Sequence, residues 1–488
     1  MSGRKLVYNV AINTVLKSVS TVVLSLLSVR LVTTYLGIDG YGLYATVVAF
    51  FGLYNALSDI GIPQIVAREI ARPGADEERI MGNVLTLRLG MSIVTGLIAP
   101  LVTLAFTNYP PEVELGLWIM AAASLFGNFF VYLNGVYQKR LRMDQVGLIE
   151  FIGKCVQVGM LFLVTSMDLG FYAVLAALPL TLFWNSLVSL FFVRRYIRLV
   201  PKFDTAVMRE FLRQSLPLGL TVIITFIYFK FDTILLSHFQ PSADVGVYNV
   251  AYKVLENFIF FPALLVGLVL PLLTHAREVS LERFEAIAGN TAKFFLIFLI
   301  PIIVSILYFA PQVVWLISGG GFEDSALVLR ILMGSLLCIF FGHYFTMLVV
   351  VSREQKRLLY AYITAAVVNI GLNVTFIPSY SYMATATVSF ITELTVVLLL
   401  AYTAYRYTHY FPHFQGFWRI LLAGALFALG CGLTYLYMPS LWLVGGIVSG
   451  LIYLATLWLT RGVTRSELEA LFKKGDDADE VVPVTNLA

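Results

Sequence analysis

Apolar runs of about 20 residues recur along nearly the whole chain, separated by short polar stretches. At a rise of about 1.5 Å per residue, such a run crosses a hydrocarbon core of roughly 30 Å as a helix. The pattern predicts about fourteen spans, near 8–36, 42–61, 81–106, 115–137, 146–167, 170–193, 215–237, 246–274, 290–310, 325–351, 358–377, 382–405, 417–437 and 440–460. The predicted fold class is therefore all-α, a polytopic membrane protein. Composition agrees: of 488 residues 59% are hydrophobic and 13% charged, with a mean hydropathy of +0.85, whereas soluble domains are about a quarter charged. So few residues remain outside the bilayer that a secreted disulfide scaffold, a nucleic-acid binder and a soluble enzyme are excluded. The apolar stretch after Arg4 and Lys5 is too long for a signal peptide and lacks a small-residue cleavage site, so the first helix is expected to be retained. Cys155, Cys338 and Cys431 fall inside apolar runs without paired spacing, as small core residues do.

Charge tests the count. Lys and Arg are retained on the cytoplasmic side of short loops, so a correct list of spans segregates them onto alternate connections. With the N-terminus placed in the cytoplasm, the loops near 37–41, 107–114, 168–169, 238–245, 311–324, 378–381 and 438–439 contain no Lys or Arg at all. The opposite connections carry Arg68, Arg72, Lys139, Arg140, Arg194, Arg195, Arg353 and Arg357, among others. One added or missing helix would scramble this pattern, so both termini are expected in the cytoplasm of a cell-membrane protein. Trp118, Trp315 and Trp442 near outer ends, with Trp418 and Trp458 near inner ends, fit an aromatic belt.

The largest inner connection, near 194–214, is basic with Phe203, Val207, Phe211 and Leu212 interspersed, a composition suited to an amphipathic stretch on an anionic leaflet. It also bisects the chain. Gly42-Leu43-Tyr44 opens the second span, and Gly246-Val247-Tyr248 opens the eighth, a weak internal repeat. Repeats of this kind place transport sites at their interface. Helices thirteen and fourteen then form an appended hairpin, and the acidic tail at 461–488 is expected to be disordered.

A charge inside a span costs at least about 2.5–3.5 kcal/mol at the bilayer centre, so each one needs a cavity, a partner or a ligand. Lys17 shares a helix face with Asn9, Asn13, Ser20 and Ser28, whereas Arg30 lies about 200° from Ser28 and either snorkels outward or meets substrate. Arg88, Ser92 and Thr95 form a stripe at mid-depth. In the seventh span Asp232 shares a face with Thr221, Thr225 and Tyr228, while Lys230 groups with Thr233 and Ser237. In the eighth, Asn249, Lys253 and Glu256 share a face, and Lys253 with Glu256 can form an i,i+3 pair that is either structural or part of a site. Lys154 can pair with Glu150 one turn earlier. Asn369 and Asn373 lie one turn apart, for interhelical hydrogen bonding or for a ligand. No Walker A sequence, HExxH, paired cysteines or serine elbow occurs, so neither enzymatic activity nor a cofactor or metal is expected.

Three stretches resemble the polysaccharide flippase family of the multidrug/oligosaccharidyl-lipid/polysaccharide exporter superfamily. They are Arg30 with TTYLGIDGYGLY and LSDIGIPQIVARE; SLPLGLTVIITFIYFKFDTILL running into VGVYNVAYKVLENFIFFPALLVGLVLPLL; and VVNIGLNVTFIPSYSYMATATVSFITE. The resemblance implies an N-lobe at 1–200, a basic linker at 201–214, a C-lobe at 215–410, the hairpin at 411–460 and a central cavity between the lobes. It also implies a lipid-linked oligosaccharide as substrate, moved between leaflets with its lipid tail left among the membrane lipids. Such a head is anionic and rich in hydroxyls. Lys17, Arg30, Arg88 and Lys253 are the candidates for its phosphates and Asn249, Asn369 and Asn373 for its sugars, with Asp232 and Glu256 as candidates for coupling to H⁺ or Na⁺. Glycan-assembly proteins are possible partners; nucleic acid is not. A cation-coupled multidrug exporter of the same superfamily is the alternative, although its cavity would favour acidic and aromatic residues. A glycan polymerase would need a sizeable outer loop.

Overall fold

Lipid offers no hydrogen-bond partners to peptide groups, so an apolar chain of this length satisfies them internally as helices. The computed structural model describes residues 20–412 and 416–462, and they are helical almost throughout. A π-helical turn at Ser20–Leu24 leads into α1 (Ser25–Asp59), followed by α2 (Ile62–Ala71), α3 (Glu77–Phe106), α4 (Pro111–Lys139), α5 (Met143–Ser166), α6 (Phe171–Val193) and α7 (Thr205–Phe239). Then come α8 (Ser242–Val279), α9 (Leu281–Ser318), α10 (Ser325–Val351), α11 (Lys356–Thr408), α12 (Phe417–Tyr437) and α13 (Trp442–Leu459).

Twelve helices among the described residues are long and apolar enough to cross a membrane, against fourteen spans predicted. The difference lies in two continuous helices that each contain a break. In α11, 53 residues run on through a non-helical Ser381 (φ 48°) just after Pro378, and about 80 Å of helix cannot be a single crossing of a core of roughly 30 Å. In α1 the break is Gly37, at φ 67° and ψ −171°. Both breaks fall where the charge pattern places a loop free of Lys and Arg, so α11 holds two of the predicted spans, and α1 holds the second together with the described end of the first. The part of the first predicted span before residue 20, with Asn9, Asn13 and Lys17, lies outside the described residues, as do 413–415 and the tail from 463 onward. The ten-residue α2 has no counterpart among the predicted elements, being too short to span.

By contact the chain forms two compact units. The first holds the described residues up to Asn257 together with 314–328 and 366–388. Within it, Ile62, Val66 and Ile70 of α2 pack with Met81 and Val84 of α3, Leu133 and Val136 of α4, and Phe211 of α7. A further cluster joins Val47 and Tyr54 of α1 to Leu117 and Met120 of α4 and Leu175 of α6. The basic linker is held against α3: Lys202 N donates to Gly82 O at 3.1 Å, Thr86 Oγ1 to Lys202 O at 2.8 Å, and Arg79 meets Asp204 at 2.6 Å. Asp204 also caps α7, accepting from Ala206 N and Val207 N. The Arg79 guanidinium and these amide bonds hold the Asp204 carboxyl below the usual carboxylate range. The second unit holds 258–313, 329–365 and the described residues from 389. There α12 and α13 form the expected hairpin, seated on Phe309 through Ile420, Phe427, Tyr453 and Leu457. Cys338 and Cys431 are buried as expected, whereas Cys155 is exposed.

The two repeat-related glycines meet each other. A Cβ on Gly42 would stand 1.7 Å from Ser242 O and 3.1 Å from Gly246 N, and one on Gly246 would stand 2.5 Å from Ile38 O and 3.4 Å from Gly42 N. Backbone therefore touches backbone here, and no side chain fits. Replacing Gly42 with Ala should destabilise the fold by about 1–3 kcal/mol through overpacking, read as a lowered Tm in detergent. Gly90 of α3 has nothing within 4 Å of an added Cβ, so Gly90→Ala should leave the Tm unchanged or slightly raised.

Candidate functional site

The first unit encloses a cavity of about 410 Å³, within the range of ligand pockets. Its wall draws on both halves of the chain. From the sequence before the basic linker come Ser25, Ser28, Tyr41 and Tyr44 of α1, Lys154 and Gln157 of α5, and Leu178 of α6. From beyond it come Phe226, Lys230 and Thr233 of α7, and Asn249, Tyr252, Lys253 and Glu256 of α8.

Helical periodicity explains most of this lining. Lys230 and Thr233 lie three residues apart and present one face of α7, while Asn249, Lys253 and Glu256 present the face of α8 that the sequence pattern groups together. The two helices are joined by residues 240–241 alone, so these faces come together as neighbours. Thr233 Oγ1 donates to Asn249 Oδ1 at 3.3 Å, and Asn249 Nδ2 donates to Val245 O at 2.9 Å.

At the centre is an ionic bridge. Lys230 Nζ donates to Glu256 Oε1 at 2.6 Å, and Lys253 Nζ donates to Glu256 Oε2 at 2.7 Å. The three side chains are 33–34% exposed, so their charged ends lie at the cavity surface. The Lys230 ammonium also lies 4.6 Å from the centroid of the Tyr252 ring, a cation–π contact. Lys154 donates to Gln157 Oε1 at 2.9 Å. Among the described residues the wall thus carries three lysines and one carboxylate, a surplus of positive charge surrounded by hydroxyls, amides and aromatic rings.

Of the sequence-predicted site residues, Asn249, Lys253 and Glu256 stand together on this wall, and Lys17 lies outside the described residues. The others are placed elsewhere. Arg30 donates to Trp315 O and, at 3.1 Å, to Leu316 O, with its guanidinium 5.2 Å from the Trp315 ring. It covers carbonyls in the last turn of α9, where Trp315 O also accepts from Gly319 N at 2.9 Å. Arg88 is buried, bonded to Asn128 Oδ1 at 3.1 Å and facing Asp59 at 3.5 Å. Asp232 is buried, accepting from the Tyr248 hydroxyl and from Thr233 N at 2.7 Å. Asn369 and Asn373 bond each other at 3.1 Å. None of these five lines the cavity.

Lys154 and Lys230 do line it, although neither belongs to the sequence-predicted set. The signal for Lys230 is its phase with Thr233, combined with a connection too short to separate α7 from α8. For Lys154 it is Gln157 three residues on, a polar partner on the same face of an apolar helix.

Residues 6–277 match the family described as polysaccharide biosynthesis protein. The probable low-salt glycan biosynthesis flippase Agl15 of Haloferax volcanii is 23% identical over 427 residues, covering 80% of this chain and 85% of that protein. In fold the chain is similar to the lipid II flippase MurJ in an inward closed conformation, with a TM-score of 0.77 at 14% identity over 92% of this chain and 99% of that one. A multidrug resistance MATE family transporter of the MOP superfamily, in an inward-facing conformation, gives a TM-score of 0.64 at 16% identity over 81% and 98%. At such identities the structural likenesses establish a shared fold. The family match spans more than half of the 488 residues, and the chain belongs to the polysaccharide biosynthesis protein family.

Proposed function

We propose that this protein is a flippase for a lipid-linked oligosaccharide, a glycan carried on a polyprenyl diphosphate, which it moves across the cell membrane by alternating access. The observation that carries the proposal is the cavity wall itself: among the described residues, Lys154, Lys230 and Lys253 stand against one carboxylate, Glu256, with Tyr41, Tyr44, Gln157 and Asn249 beside them. Ammonium groups suit the phosphates, while hydroxyls, amides and aromatic faces suit the sugars. The lipid tail need not enter; it stays in the bilayer while the head crosses. Family membership and the likeness to Agl15 and MurJ support the same reading.

The alternative, a cation-coupled exporter of lipophilic cations, draws on the likeness to the MATE transporter. A cationic wall opposes it, since a positively charged drug would meet like charge there. Transport driven by an H⁺ or Na⁺ gradient through Glu256 or Asp232, and docking with glycan-assembly proteins, complete the proposal.

Flipping is tested in liposomes containing the purified protein and a defined lipid-linked sugar, scoring leaflet accessibility with and without an imposed H⁺ or Na⁺ gradient. Lys230→Ala and Lys253→Ala should each reduce the rate, and the double variant should lower it at least tenfold per mole of folded protein; a rate equal to that of the unaltered protein would refute the cavity as the substrate route. Orientation is tested by membrane-impermeant thiol labelling in intact cells of a variant whose native cysteines are replaced. A single cysteine introduced at Asn108 should react, whereas one introduced at Arg198 should react only after permeabilisation. The reverse result would invert the proposed topology.

A further inference from the structure

Lys230 and Lys253 belong to different helices, α7 and α8, yet share one carboxylate, each taking one of its oxygens. Two ammonium groups held this close in apolar surroundings repel each other strongly unless an anion lies between them. An anion therefore has to occupy this position whether or not a ligand is bound. An oxyanion with two or more charged oxygens can replace Glu256 atom for atom, one oxygen to each lysine.

We infer that Glu256 is a resident counter-ion, holding the anion position of the empty cavity until an oxyanionic headgroup displaces it from Lys230 and Lys253. The inference rests on the anionic substrate proposed above and assigns Glu256 a role in its selection. Three contacts favour exchange over simple occlusion. The bridge is partly exposed to the cavity, so a ligand reaches it without unfolding a helix. Lys230 keeps the Tyr252 ring against its ammonium when the carboxylate leaves. Lys154, on the same wall and within electrostatic range of Glu256, is a third cation for the displaced carboxylate or for further ligand oxygens.

Exchange of this kind sets a threshold. A monoanion offers the lysines no more than Glu256 already supplies, so it gains little on entering. A dianion such as a diphosphate diester brings a second charge and additional oxygens, and it gains net attraction. Glu256 thus acts as a built-in competitor that filters for multiply charged heads, selectivity arising from a repulsive element as well as from attraction. The exchange also replaces the bond that ties Glu256 of α8 to Lys230 of α7 with bonds through the ligand, so occupancy is communicated to how the two helices are tied.

The test measures binding of farnesyl diphosphate to the full-length protein in nanodiscs at fixed ionic strength, with farnesol as the uncharged control. Glu256→Gln should tighten binding at least tenfold. Glu256→Asp keeps the charge but shortens the reach to two lysines, and it should tighten binding by a smaller factor; it carries the test if Glu256→Gln does not fold. A Lys230→Met/Lys253→Met variant should bind at least tenfold more weakly than the unaltered protein. If that double variant binds as well as the unaltered protein, the ligand does not use the lysines and the anionic-substrate proposal falls. If it loses binding while both Glu256 variants bind unchanged or more weakly, the counter-ion role falls and the proposed function stands.

Discussion

Two lysine side chains reaching the same point inside a membrane protein are tolerable only because one carboxylate answers both. Placing an ammonium group in apolar surroundings costs several kcal/mol, and removing one partner of a buried ion pair typically costs about 3–5 kcal/mol. Lys230, Lys253 and Glu256 therefore stand or fall as a set. The set joins the Thr233–Asn249 and Tyr248–Asp232 bonds in tying α7 to α8, and it gives the cavity its sign. Aromatic and amide side chains around it then have a defined position relative to the charge, which a specific binding surface requires.

The fold was legible because its signals are one-dimensional. Helix length, hydropathy and the alternation of Lys and Arg between connections depend only on position along the chain, and they locate the breaks at Gly37 and Ser381 that divide two long helices. The site was legible only in part. The grouping of Asn249, Lys253 and Glu256 follows from 3.6-residue periodicity within one helix, and the same rule sets Lys230 with Thr233 and apart from Asp232. What periodicity within a helix cannot supply is the partner on another helix. Nothing in the local sequence around Arg30 signals that the carbonyls at the end of α9, nearly three hundred residues later, would take its guanidinium. Nor does the stripe of Arg88, Ser92 and Thr95 reveal that Asp59 and Asn128 meet Arg88 in the packed interior.

The cations of the spans sort by what they touch. Arg30 and Arg88 use planar guanidinium groups with several donors, suited to satisfying more than one acceptor at once, and both are committed to protein partners. The cavity wall is built from lysines, whose single compact charge on a flexible stem can change partners without reorganising a fork of hydrogen bonds. A wall that must release a headgroup as well as hold it is better served by the second kind of cation.

The reciprocal contact of Gly42 with Gly246 makes each residue the limit on the other. A side chain packed against another side chain can grow if its neighbour turns aside, since a change of rotamer moves few atoms. Here the neighbour is main chain. Enlarging either residue drives a methyl group into the opposite backbone, so neither position can be rescued by shrinking the other, and the two helices keep this separation only while both are glycine.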